Sequence, residues 1–307
     1  MNKLKKLGKG LGDISYLFIS GEEENSPAKD TREKHTDKNS SDSRLSTKSI
    51  CLIGNYCDDR DAFLVVNLSL ALARLGMRIA VADMDRDLCC MNFFLGKKPE
   101  QRHRVTSKAV IEEGPLGVKL IGMTPALLGQ LPDAQTKSKL ALKLDEIEKN
   151  VDLILVSIMQ KDLQDAKPLI KDSINEFLVL VPPDKQKMII AYKIIKSIFS
   201  DNPLAKIGTI ITEIDHMYEI DAVYEKMSGA VRKFLDKELH KYGFLFKLKQ
   251  EVDSKANIAS FYDADLTACI SNIAQIIVLR LSLNEANYPR EALFKKILGE
   301  LTVARQT

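Results

Sequence analysis

The strongest constraint in this chain is a series of short, unbroken apolar runs, each followed by a segment whose apolar residues recur at helical spacing. The first run starts after Ser49. Ile50-Cys51-Leu52-Ile53-Gly54 reads as a strand buried on both faces that ends at a loop. From Ala62 to Leu75 the residues Leu64, Leu68, Leu72 and Leu75 recur every three or four positions, which predicts a helix closed by Gly76. Arg78 to Ala82 is the next strand, stopped by Asp83-Met84-Asp85. Further strands are predicted over 118–121, 153–157, 177–181 and 207–211. Helices are predicted over 138–149, 163–172, 185–199, 220–240 and 264–281. Continuous apolar strands need cover on both faces, so the alternation predicts an α/β fold: a doubly wound, mostly parallel sheet with helices on both sides. Ligands of such sheets sit beyond the carboxyl ends of the strands.

The rest of the chain divides around this core. Residues 1–20 combine lysines with the apolar stretch Ile14, Tyr16, Leu17, Phe18 and Ile19, which reads as a segment for docking a partner. Residues 21–48 hold almost nothing apolar and cannot offset their ordering entropy, so a flexible linker is expected. The α/β domain covers 49–282. Residues 283–307 form a tail in which Leu293, Phe294, Ile297, Leu298 and Leu301 share one helical face, flanked by Lys295 and Lys296. Such a basic amphipathic helix fits a membrane surface, or a partner, or its own domain.

Composition narrows the function. The 45 Lys+Arg against 42 Asp+Glu leave a net charge of +3, without the basic excess of a dedicated nucleic-acid binder. Five cysteines, without a Cys-x-x-Cys pair, fit a reducing cytoplasm. No secretory h-region follows the basic start, and no run approaches the roughly 20 apolar residues of a membrane span.

The ordered series from 49 to about 282 resembles the MinD/FlhG/ParA family of P-loop ATPases with a deviant Walker motif. Val66-Asn67-Leu68-Ser69-Leu70-Ala71-Leu72-Ala73-Arg74-Leu75-Gly76 is similar to the family helix "vNLalALaxxG". Asp83-Met84-Asp85, with Leu88 and Phe94-Leu95-Gly96, is similar to "DxDxgLxNxDxxLG", and Ala191 to Lys196 to "DAYxxIK". The resemblance implies a three-layer P-loop fold with ATP bound at the loop after the first strand.

That loop departs from the pattern. Counting back from Gly76, the family's K-G-G-x-G-K-[ST]-[ST] falls on Tyr56, Cys57, Asp58, Asp59, Arg60, Asp61, Ala62 and Phe63. The glycines that let backbone N–H groups surround phosphates are gone. Asp61 stands at the phosphate-binding lysine, and Ala62 at the hydroxyl that holds Mg²⁺. A carboxylate about 4 Å from a phosphate charge costs roughly 4 kcal/mol at an effective dielectric near 20. Ser157 replaces the family's second acidic motif, and Thr212 its adenine-reading Asn. Only Asp83 and Asp85 remain of the catalytic set. The resemblance gives Asp85 the orienting of an attacking water, whereas by itself it reads as a strand-end carboxylate capping the next turn.

Cys57, Cys89 and Cys90 would lie near one another in this fold. Adjacent cysteines chelate one ion poorly and no histidine is close in sequence, so no metal site is expected. The resemblance with these departures implies a catalytically inactive regulator or scaffold of a cell-envelope machine: a flagellum, a pilus, secretion, or polysaccharide synthesis as for the BcsQ protein. Protein partners follow, either a client machine or an active paralogue, and so does a homodimer. No cofactor and no nucleic acid are expected. The location is cytoplasmic, and peripheral to the inner membrane if the tail engages lipid. The alternative is an ATP-binding MinD/ParA-type ATPase with an atypical loop, and only there do ATP and Mg²⁺ enter.

Overall fold

The structure is a computed structural model that describes residues 47–54, 59–96, 110–124, 133–170, 172–248, 264–283 and 292–303. The docking residues Ile14, Tyr16, Leu17 and Phe18, and Tyr56, Cys57 and Asp58 of the loop, lie outside them. In chain order the elements are β1 (Lys48–Gly54), α1 (Asp59–Arg74), β2 (Ile79–Asp83), α2 (Cys89–Phe94), β3 (Val110–Glu113), β4 (Lys119–Gly122), α3 (Ala134–Asn150), β5 (Leu153–Met159), α4 (Leu163–Ile170), β6 (Glu176–Val181), α5 (Lys185–Asp201), β7 (Ile207–Ile214), α6 (Tyr218–Leu235), β8 (His240–Phe246), α7 (Ala264–Leu283) and α8 (Leu293–Val303).

One sheet runs in the order β3-β4-β2-β5-β1-β6-β7-β8. All its pairings are parallel except β3 with β4. The central strands β1, β2 and β5 are buried along nearly their whole length, as continuous apolar runs require. Their side chains feed two cores. On one face α1, α2 and α7 pack over Ile50, Leu52, Val81, Leu153 and Leu155. On the other, α3 to α6 and α8 pack over Cys51, Ile53, Ala82, Ile154 and Val156. This is the expected doubly wound α/β architecture.

Beyond α2 and β3, which the sequence reading did not contain, three elements differ from it. The helix expected over 220–240 ends at Leu235, because Asp236 turns left-handed (φ 53°) and its N–H bonds back to the Arg232 carbonyl. The chain can then form β8 at the sheet edge. There Tyr242 lies on Gly208, where an added Cβ would collide with its ring. The Tyr242 hydroxyl accepts from Arg280 Nε at 2.8 Å, and Arg280 pairs with the buried Glu176 at 3.4 Å.

The tail is the second, and of the three outcomes its sequence left open, residues 293–298 of α8 pack on their own domain. Leu293, Phe294 and Ile297 are fully buried against α3 and α4, and Leu298 is half-buried. Glu148 of α3 explains the docking. It accepts the Leu293 and Phe294 N–H groups at 2.7 and 3.1 Å, satisfying helix-terminal donors that burial would otherwise orphan. Lys296 pairs with Asp172 at 2.6 Å, while Lys295 is exposed. The Leu301 side chain lies outside the described residues.

The third is α7. It is long and apolar enough, by length and composition, to cross a bilayer over Ala264–Ser282. Here it supplies Leu266, Ile270, Ile273, Ala274 and Ile277 to the core beneath β8 and α1.

Candidate functional site

The carboxyl ends of β1, β2 and β5 converge on one place, and the surviving carboxylates lie there. Asp83 ends β2 and is buried. Its carboxylate accepts the Met91 N–H at 2.9 Å and the Asp85 N–H at 3.3 Å, so it fastens the first turn of α2 to the sheet. Burial pushes its pKa up to about 7, with the Asp85 charge acting in the same direction. Asp85 Oδ1 accepts the Asp87 N–H at 3.3 Å, a turn-capping contact. Leu88, left-handed at φ 47°, then leads into α2.

Opposite Asp83, Ser157 on β5 stands in register with it. The Ser157 carbonyl takes the Met84 N–H at 3.0 Å, and its hydroxyl accepts from Cys90 Sγ at 3.2 Å. Cys90 is fully buried, and burial among carboxylates raises its thiol pKa, so it is held as an unreactive thiol. Cys89 is buried as well. Among the described residues no three His, Cys, Asp or Glu groups are placed to share a metal ion.

Residues 59–63 form the start of α1. Arg60 is exposed, and its guanidinium pairs with Glu213 at 3.0 Å. Glu213 follows Thr212 at the end of β7, in a left-handed conformation (φ 57°), and also binds Lys187 of α5 at 2.6 Å. Asp61 is 7 % exposed. Its carboxylate lies so close over the end of β1 that a Cβ on Gly54 would collide with it. The helix N-terminus thus has a carboxylate of its own chain in its first turn, where the macrodipole favours negative charge. Ala62 and Phe63 are buried, and the Phe63 ring meets Phe93 edge-on at 6.2 Å, tying α1 to α2. Between Asp61, Thr212, Glu213 and Leu245 is a cavity of about 40 Å³, room for a water or two.

Sequence reasoning missed the turn after β5. Lys161, Asp162 and Asp165 face the β2–α2 loop. Lys161 bonds Asp87 at 2.5 Å and lies 3.6 Å from Asp85. Arg86 reaches back to Asp162 at 2.9 Å and pairs with Asp165. The only sequence signal was a charged Lys-Asp-x-x-Asp run straight after a buried strand, and nothing in it specified the facing loop.

This architecture is that of the MinD/ParA-type P-loop ATPases. A chain of the MinC:MinD cell division protein complex from Aquifex aeolicus superposes with a TM-score of 0.54 at 17 % identity, over 80 % of this chain and 99 % of that one. A ParA family ATPase from Chlorobium tepidum gives 0.50 at 12 % identity, over 75 % and 98 %. In sequence the chain is similar to the antiactivator FleN of Pseudomonas aeruginosa, 24 % identical over 190 residues. That match spans 59 % of this chain and 66 % of FleN, just under two thirds of the relative's length. No protein-family model matches the chain.

Proposed function

We propose that this chain is a regulator or scaffold built on the MinD/ParA fold that works without a nucleotide switch. The observation that carries the reading is Asp61, a buried carboxylate standing over the end of β1; the family resemblance puts the phosphate-binding lysine at this position. Among the described residues the donor set does not fit a triphosphate. Asp61 puts negative charge where a nucleotide needs a cation. Arg60, the nearest guanidinium in α1, is paired with Glu213. Ala62 and Ser157 offer no carboxylate or lysine in exchange.

The role follows by analogy with the relatives. FleN is an antiactivator and MinD forms a complex with MinC, so control of a cell-envelope machine through protein contacts fits this chain. Its location is then cytoplasmic. Because the apolar face of α8 is buried on its own domain, contact with the inner membrane would require α8 to undock. Flotation of the full-length protein with anionic vesicles tests that contact.

Calorimetric titration with ATP and ADP in the presence of Mg²⁺ tests the central reading. Absence of binding up to millimolar nucleotide is the expected result. Micromolar binding would overturn it and restore the ATP-binding alternative.

A further inference from the structure

A helix that faces water ordinarily shows it charge, as α3 does with exposed Lys139, Lys143, Glu146 and Lys149. α7 departs from that rule. From Leu266 to Leu279 it contains no Asp, Glu, Lys or Arg. Its exposed residues over this stretch and just beyond are Ala268, Asn272, Gln275, Leu279 and Ser282. They are alternately four and three positions apart, so they form one narrow stripe along the helix. The next cation, Arg280, is turned inward to Tyr242 and Glu176.

The stripe borders an edge of the sheet. β8 ends the strand order, and among the described residues no strand pairs with its outer side. The opposite edge, β3, is four residues long and exposes Glu112 and Glu113, which guard it against edge pairing. β8 is seven residues long, and only Lys241 of it is fully exposed. A groove of about 610 Å³ lies along this edge, with Lys241, Gly243 and Phe244 as its floor. Met217 and Ile220 of α6 flank it on one face of the sheet. Asn272, Gln275, Ile276 and Leu279 of α7 flank it on the other. Met217 and Leu279 are 59 % and 58 % exposed, so both walls offer uncovered apolar surface.

We propose that a second copy of this chain covers the groove, related by a two-fold axis through the β8 edge. An edge strand is its own complement in the antiparallel sense, so β8 can pair with β8 of the other copy. The same axis sets α7 against α7. Two charged faces of one sign would repel there, whereas this stripe carries no charge. The amides of Asn272 and Gln275 each hold donors and an acceptor, and so can bond to their own kind. At the rim, Lys241 and Asp221 supply one charge of each sign per copy, and the pair can exchange partners across the axis. A seven-residue strand and the facing flanks of two helices cover on the order of 800 Å² per copy, the size of a standard interface. A lipid surface fits less well. The two amides would lose their hydrogen bonds in it. Nor is α7 able to sink away from the sheet, because a Cβ on Gly243 would lie 2.7 Å from the Ile273 side chain, so close is the strand to the helix. The dimer needs no nucleotide, and it is therefore independent of the reading of Asp61.

Analytical ultracentrifugation of the full-length protein without nucleotide is the test, and a dimer at micromolar concentration is expected. The row from Asn272 to Leu279 has its midpoint at Gln275 and Ile276, which places Gln275 beside its own copy. Gln275→Glu and Gln275→Lys, at an exposed position, each set like charges together and should weaken association at least about tenfold. Mixing the two variants should restore a dimer with one chain of each kind. A monomeric unaltered protein would overturn the proposal, and flotation of that monomer with anionic vesicles would give the stripe to lipid instead. Variants that dimerise as firmly as the unaltered protein would place the contact elsewhere and overturn it too. So would variants that dissociate and do not recombine, since the added charge would then have disturbed something other than a contact between copies.

Discussion

Asp83 shows how much one buried side chain can set the pH response of the whole fold. Its folded pKa, about 7, lies well above that of an exposed aspartate. The folded state therefore takes up a proton that the unfolded chain does not hold between pH 4 and 7. Stability should fall as pH rises through that window, by up to about 4 kcal/mol, and stay level above it. Urea denaturation at pH 5 and pH 8 checks this, and Asp83→Asn should flatten most of the difference. Tyr242 is a second case. Its hydroxyl accepts from Arg280 beside the buried Glu176, so Tyr242→Phe leaves buried charge one partner short. A loss of about 1–3 kcal/mol is expected in the same assay at pH 7.

At the scale of elements, α8 makes the sharpest prediction. Glu148→Ala removes the acceptor of two buried helix-terminal N–H groups and should destabilise the protein by about 1–3 kcal/mol. Phe294→Ala empties a core position and should cost about 3–5 kcal/mol. Equilibrium denaturation reads both. If α8 instead spent most of its time off the domain, neither change would move the transition.

This docking marks where sequence legibility ends. The apolar stripe of 293–298 is the same whether it meets a bilayer or a core, and only the position of Glu148 in α3 decides it. Strands β1, β2 and β5 were readable because a strand buried on both faces has no polar alternation to blur it. By contrast β8, His-Lys-Tyr-Gly-Phe-Leu-Phe, is half-buried at an edge, and its start is hidden behind a helix that ends without glycine or proline. At the site, Asp83 and Asp85 could be placed from the chain, because a strand end fixes them. Lys161, Asp162 and Arg86 could not, because their meaning lies in a contact between loops some 75 residues apart.

For the molecule as a whole, ligand linkage offers a check independent of calorimetry. A nucleotide present at a hundred times its dissociation constant would add about 2.7 kcal/mol to stability. Millimolar Mg-ATP is expected to leave the melting temperature of the full-length protein unchanged.

The sheet order also bears on how the chain reaches its folded state. β1 lies inside the sheet between β5 and β6, with Lys48 opposite Leu153 and Ile50 opposite Glu176. Every ladder bond it makes waits for residues synthesised roughly a hundred positions later. Until they emerge, Ile50-Cys51-Leu52-Ile53 is an apolar strand with two open edges, a template on which nascent copies can pair with each other. Recovery of soluble protein should therefore depend on the speed and temperature of synthesis, however firm the finished sheet.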